Sequence, residues 1–292
     1  MVTAQTYLVY RPDIWSPYID RLFKEKLFAA KFFRDYSDYI TEGGKSVMIP
    51  HDTIYTPSTI TTTTGELTGN LVTDTRSILD IDTWKASARV FADFQAAQVG
   101  KQYRLKEIYA ENMAHSLAKA LEQSLFGLVT GANPSRVINA STAGVKGSDL
   151  EAALAIMESY NIPKEECMWF FHPKVYYQEI LAVQKLYDAS QFGKASLIKG
   201  SHGELYGVPV VVSTLVPSAG ASAEGSGGHR NFIIHNRALC YAVGNLPGGQ
   251  ASGIRLQELK SEHLRVMVVA DIMYGVKKVG NSYRGVRIIS NV

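Results

Sequence analysis

The sequence predicts an α+β fold on three observations. A β-rich stretch with two arms follows the first helical segment, the longest helical pattern comes next, and short apolar runs then alternate with helical ones to the end. The two-armed stretch organises the rest. Ser46 to Thr64 and Leu71 to Phe94 are rich in Val, Ile, Tyr and Thr, with Gly65-Glu66-Leu67-Thr68-Gly69-Asn70 as a turn between them, so the pair reads as a hairpin. At about 3.3 Å per residue the arm Val47 to Thr64 reaches roughly 60 Å if straight, against a radius of gyration of about 19 Å for a compact chain of this length. Such a ribbon protrudes. Its outer part, Thr56 to Arg76, carries Thr, Ser, Asn and Gly with scattered Ile, Leu and Val, too little apolar surface for its own core. An isolated hairpin is marginal in water, so the expected completion is a neighbouring copy on which the ribbon lies.

Composition sets the bounds. With 292 residues, 46% of them hydrophobic, the chain buries a sizeable core in one large or two small domains. Its longest apolar runs, Gly207 to Val216 and Val266 to Ile272, fall short of the roughly 20 residues that cross a bilayer. The N-terminus lacks a basic segment followed by an apolar core, so cytoplasmic folding and no membrane contact are expected. Cys167 and Cys240 lie in apolar segments and read as buried thiols. The net charge of +3 permits contact with nucleic acid along one face without marking a dedicated binder.

Arg11 to Ile40 reads as an amphipathic helix, with Ile14, Trp15, Tyr18, Leu22, Phe23, Leu27, Phe32 and Tyr36 near helical spacing. So many aromatics must pack on the body or on another subunit; an amphipathic membrane binder is the weaker alternative. Beyond the ribbon, Gln95 to Val129 places Leu105, Ile108, Tyr109, Met113, Leu117, Leu121, Leu125 and Leu128 on one stripe. Lys101, Arg104, Lys106, Glu107, Glu111, Lys119 and Glu122 fall on its solvated faces. The helix is roughly 50 Å long. Gly131 to Gly147 is loop-like, and Ser148 with Glu151 reads as a capping box opening a helix that ends near Tyr160. Cys167 to Phe171 is a buried strand, Pro173 opens a helix to about Lys185, and Gly207 to Leu215 is a second buried strand. Ser218 to Gly228 is a flexible loop, and Asn231 to Tyr241 returns to strand. Ile254 to Ile289 reads as a small sheet against the long helix.

Chemistry is thinly signalled. Gly43-Gly44-Lys45-Ser46 resembles the end of a phosphate-binding loop, but Tyr39 stands where the pattern needs glycine and a strand follows instead of a helix. The seven histidines form no metal-ligand spacing, and no nucleophile elbow exists. Asp74, Asp80, Asp82 and Asp93 suit a polar strand face, with intersubunit salt bridges as their functional version. Asn139-Ala140-Ser141 is a chance glycosylation triplet. No cofactor and no metal are expected.

The order of these elements resembles a known family. Ile14-Trp15, then Gly43-Gly44-Lys45-Ser46-Val47-Met48-Ile49-Pro50, Leu79-Asp80-Ile81-Asp82, Asp93 to Gln98 and the long helix are similar to tailed-bacteriophage major capsid proteins, whose fold is named for the Hong Kong ninety-seven coliphage. Gly203 to Ser213 resembles the family's axial-domain strand. Tyr274-Gly275-Val276 and Arg284-Gly285-Val286-Arg287-Ile288 resemble its closing strands. The resemblance implies an N-terminal arm over 1–42, an extended loop over 43–94, a peripheral domain with a spine helix over 95–146 and 245–292, and an axial domain over 147–244. It implies an icosahedral shell of hexamers and pentamers around double-stranded DNA, assembled in the bacterial host cytoplasm, with portal and decoration or cement proteins as partners. The arm helix begins almost at once, so a separate scaffolding protein is expected. Ser46 to Trp84 contains no lysine, which predicts a noncovalent shell. Expected intersubunit contacts are Trp15, Tyr55, Ile60, Leu67, Leu71, Asp74 and Arg76; expected DNA-facing residues are Lys24, Lys26, Lys31 and Arg34. An encapsulin-type compartment shares the fold. The alternative from another class is an α/β enzyme with a site in Ser148 to Tyr241.

Overall fold

A computed structural model describes residues 24–40, 44–51, 75–92, 105–130, 136–140, 143–181, 203–219, 228–246, 254–261, 265–279 and 284–290. Two sheets and one long helix organise them.

The described part of the arm departs from the expected continuous helix. Residues 24–28 form no regular element, α1 covers only Ala29–Phe32, β1 is Arg34–Asp35, and Ser37–Ile40 makes a 3-10 turn. Tertiary partners take the amides that a helix would use. The Phe28 N–H donates to both oxygens of the Glu122 carboxylate at 2.9 and 3.2 Å. Strand β1 pairs in parallel with β10 (Leu239–Gly244), and the Tyr36 N–H donates to the Tyr241 carbonyl at 2.9 Å. The expectation that the arm's aromatics need cover holds for Phe32 and Phe33, 6.0 and 6.3 Å from the Phe170 ring, but not for Tyr39, which is 77% exposed. The stripe from Ile14 to Phe23 lies outside the described residues.

The hairpin exists, but its second arm is divided. Strand β2 (Ser46–His51) pairs antiparallel with β3 (Thr75–Asp80), from Ser46↔Asp80 to His51↔Thr75. Leu71 to Phe94 is not one arm of that hairpin: β4 (Thr83–Ala92) instead pairs along β12 (Arg265–Lys278), from Thr83↔Tyr274 to Ala92↔Arg265. The chain changes partners at Ile81-Asp82 because it passes over Gly275. A Cβ there would sit 1.9 Å from the Asp80 carbonyl oxygen, so only glycine admits the crossing. The expected turn at Gly65 to Asn70 lies outside the described residues.

Helix α2 (Leu105–Gly127) carries the expected stripe, with Met113, Leu117, Leu121 and Leu125 buried one turn apart. Its 23 described residues rise about 35 Å. Against them β12 presents Val268, Ala270, Ile272 and Tyr274, also buried and spaced by two as one face of a strand must be. Glu122, expected on a solvated face, is 1% exposed, because it holds the arm. Strand β12 is shared. Strand β10 pairs with Met273 to Lys278 and β11 (Ile254–Ser261) with Arg265 to Ile272, while β4 pairs along Arg265 to Tyr274 and so overlaps both. Strands β10 and β11 therefore follow one another on one edge of β12, and β4 occupies the other.

The second sheet runs β5 (Val137–Asn139), β13 (Gly285–Ile289), β9 (Arg230–His235), β6 (Cys167–Phe171), β8 (Val208–Val212) and β7 (Glu204–Leu205). Strand β5 (Val137–Asn139) arises in a stretch that reads as loop, drawn into parallel pairing with β13 (Gly285–Ile289). Helix α3 (Gly147–Ser159) ends where expected, but its start is capped differently: the Asp149 carboxylate accepts from the Lys146 N–H at 2.8 Å, and Ser148 lies inside the first turn. Strand β6 (Cys167–Phe171) is the predicted buried strand. Pro173 opens a short helix that passes into a π turn over Tyr176–Ile180. Strands β7 (Glu204–Leu205) and β8 (Val208–Val212) join through Tyr206 and Gly207 at φ 55° and 79°, the two left-handed positions that a type I′ hairpin requires. Asn231 to Tyr241, expected as one strand, is two: β9 (Arg230–His235) belongs to this sheet and β10 to the other. The closing strand β13 likewise joins this sheet and not the one on the long helix.

Side chains of β6 separate two cores. Trp169 and Phe171 point to Leu150, Ala153 and Met157 of α3, whereas Phe170 joins Phe126 of α2, Phe232 of β9 and the arm. A strand covered on both faces has no polar alternation, which is why it reads as a continuous apolar run.

Candidate functional site

The β2–β3 ribbon belongs to neither large sheet. It is anchored by one face, on which Ile49 and Leu79, with Ile81 just beyond, are buried with Ile40, Cys240, Ala242 and Val279. On the other face Met48 is 56% exposed, with Ser46, Pro50, Arg76 and Asp80 exposed beside it, and Thr75 at the far end is exposed too. Within the ribbon, Arg76 Nη1 approaches Met48 Sδ at 3.5 Å and His51 Nε2 meets Ser77 Oγ at 2.6 Å. Of the expected intersubunit contacts, Arg76 is therefore on an exposed ribbon face. Trp15, Tyr55, Ile60, Leu67, Leu71 and Asp74 lie outside the described residues.

The arm cations separate into two groups. Lys24 Nζ is 2.7 Å from the Glu111 carboxylate, part of a polar seam along α2 in which Glu25 pairs with Lys119 and accepts from His115 through its carbonyl. That seam holds the Glu25 carboxyl below its ordinary range, through Lys119 first. The buried Glu122 is raised instead: loss of water outweighs the amides of Phe28 and Ala29. Lys26, Lys31 and Arg34 are exposed, Arg34 on β1 beside β10.

An exposed apolar edge escaped the sequence reading. Trp84 and Val90 of β4 are 65% and 55% exposed, with Ala86 and Ala88 exposed between them. The Trp84 indole donates to Asp271 Oδ2 at 3.0 Å. The period of two in Trp84, Ala86, Ala88 and Val90 signals this face; reading the segment as ribbon obscured it. Asp80 and Asp82 are exposed as expected, and Asp82 accepts from Thr83 Oγ1 at 3.0 Å; Asp74 and Asp93 lie outside the described residues.

Chemical groups elsewhere serve structure. Cys167 and Cys240 are buried free thiols, each pushed up to about 12 with burial as the leading cause. His172 and His229 stack with centroids 3.4 Å apart, and burial, then His229 and Lys174, bring His172 down to about 4. Among the described residues no group of three metal-ligating side chains assembles, and no helix is long and apolar enough to cross a membrane. Gly44 to Ser46 runs into strand β2, as expected.

No protein-family model matches the sequence, and no curated protein matches it. Solved structures do. A chain from Mycobacterium phage Che8 superposes with a TM-score of 0.75 at 18% identity, covering 97% of this chain and 98% of that one. The capsid structure of cyanophage P-SCSP1u gives 0.73 at 16% identity over 98% and 95%. An encapsulin complex from Synechococcus elongatus gives 0.56 at 12% identity over 85% and 82%. Near-complete coverage in both directions extends the likeness from arm to closing strand, and the chain therefore has the phage capsid fold.

Proposed function

We propose that this chain is the major capsid protein of a tailed bacteriophage, its copies associating as hexamers and pentamers of an icosahedral shell around double-stranded DNA. The observation that carries the reading is the β2–β3 ribbon, which stands outside both sheets with an exposed outer face, within a fold shared with phage capsid structures. The role is structural rather than catalytic. Weak contacts from ribbon, arm and exposed β4 edge act together, so closure of the shell gains from multivalency without a reacting residue. The arm is 1–42, the extended loop 43–94, the peripheral domain 95–146 and 245–292, and the axial domain 147–244, with β4 and β13 as the strands that stitch these parts together. Scaffolding, portal and decoration proteins are the partners of such a shell, the virion capsid is its location, and the host cytoplasm is its place of assembly. Without lysine in Ser46 to Trp84 the shell is held noncovalently.

Electron microscopy of the full chain, expressed alone and with a scaffolding protein, tests this. Uniform closed shells that run as single chains on denaturing gels are the expected result. A monomer that never assembles under either condition overturns it. The encapsulin likeness supports a second reading, a compartment for protein cargo. Nuclease-resistant duplex DNA inside the particles favours the capsid; a co-purifying cargo protein with no DNA favours the compartment.

A further inference from the structure

The turn from β9 to β10 gathers positive charge from three distant parts of the sequence. Arg237 lies in the turn with its side chain 52% exposed. Arg284, just before β13, donates from Nη1 to the Arg237 carbonyl oxygen at 2.7 Å, and the Arg284 carbonyl accepts from the His235 N–H at 2.9 Å. Arg34, exposed on β1, arrives because β1 pairs with β10 at Cys240, just past Arg237. The three groups act on one another. Burial first, then the charges of Arg237 and Arg34, hold the Arg284 guanidinium below its ordinary value. Burial lowers His235 as well; Glu166 opposes that, and Arg284, Arg237 and Arg34 add to it.

Glu166 is the carboxylate that the described residues bring to the cluster, 3.7 Å from Arg237 Nε and 3.3 Å from His235 Nε2. Asp35, the next residue along β1 from Arg34, turns to Ser37, accepting from its N–H at 2.8 Å and from its hydroxyl. Three permanent cations facing one carboxylate repel until further anions join them. Guanidinium forks suit paired oxygens of phosphate or carboxylate. A lone carboxylate offsets one charge, whereas a nucleic-acid backbone presents a phosphate at every nucleotide and so can meet several of these cations at once. We propose that Arg34, Arg237 and Arg284 form a phosphate-binding site for the backbone of double-stranded nucleic acid. It deepens the capsid reading, and rests on it for the source of the duplex.

The experiment measures binding of a short mixed-sequence DNA duplex to the full chain across a salt series. Replacing Arg237→Gln, a half-exposed change, is expected to make the slope of log K against log salt shallower by about 0.9, and the triple change Arg34→Gln, Arg237→Gln, Arg284→Gln by about three times that. Arg89→Gln on exposed β4 leaves the slope unchanged. An unchanged slope for Arg237→Gln, or an equal loss for Arg89→Gln, overturns the site. So does a triple variant that binds duplex normally but no longer forms shells, since the cluster then holds carboxylates of a second copy. Wild-type shells with no slope change sink the site and spare the capsid; a slope change in a chain that never assembles does the reverse.

Discussion

The six-stranded sheet and the two-stranded ribbon are built from similar residue types and end in opposite conditions. In β6, Trp169, Phe170 and Phe171 are all fully buried, covered by α3 on one face and by α2 and the arm on the other. Among the described ribbon residues only Ile49 and Leu79 are buried, both on the face packed against the body, and Met48 lies on the opposite, exposed face. Burial at about 25 cal/mol per Å² of apolar surface is available to the first region within one chain. For the second it becomes available only where another surface arrives. One region is covered within its own chain; the other keeps Met48 exposed on its outer face.

Substitutions can widen or close that gap. Phe170→Ala, at the meeting of arm, α2 and β9, is expected to cost about 3–5 kcal/mol in denaturant unfolding; a loss below about 1 kcal/mol would mean that the two cores are independent. A pH series acts on the body less strongly. His172 is depressed to about 4 from an ordinary 6.5, so the unfolded chain takes up its proton first. The stability it lends is present above pH 6.5 and is lost as pH falls through about 4. Melting temperature against pH is expected to fall less steeply in His172→Gln than in the wild type; equal steepness would clear the stacked pair. The smallest effect is on the ribbon: Met48→Ala is expected to shift the unfolding free energy of the isolated chain by no more than about 0.5 kcal/mol, while lowering the yield of shells seen by electron microscopy. A large loss of stability would place the ribbon face within its own subunit's core.

What the sequence makes legible is what local periodicity controls. Four-residue spacing from Met113 to Leu125 and the apolar run Cys167 to Phe171 both became the elements that they spell. The arm misleads because its amides have better partners far away, Glu122 and β10, which no helical pattern within Arg11 to Ile40 can reveal. Asn231 to Tyr241 hides its break because both halves are buried, in different sheets, so the apolar signal runs straight through Asn236 and Arg237. The ribbon was visible from composition, and Gly275 resembled a family motif without disclosing that Asp80 crosses it. Arg34 is an expected DNA-facing residue, but its juxtaposition with Arg237 and Arg284 carries no signal in a linear reading: it depends on β1 finding β10 and on β13 returning to β9.

Strand β4 leaves the ribbon's root and immediately lies against β12 for ten consecutive pairs, Thr83 to Ala92. Tension delivered along that strand loads every rung together in shear, and cannot peel them one at a time. The described ribbon is thus moored by a seam suited to bearing pull, even though among its described residues only Ile49 and Leu79 are fully covered.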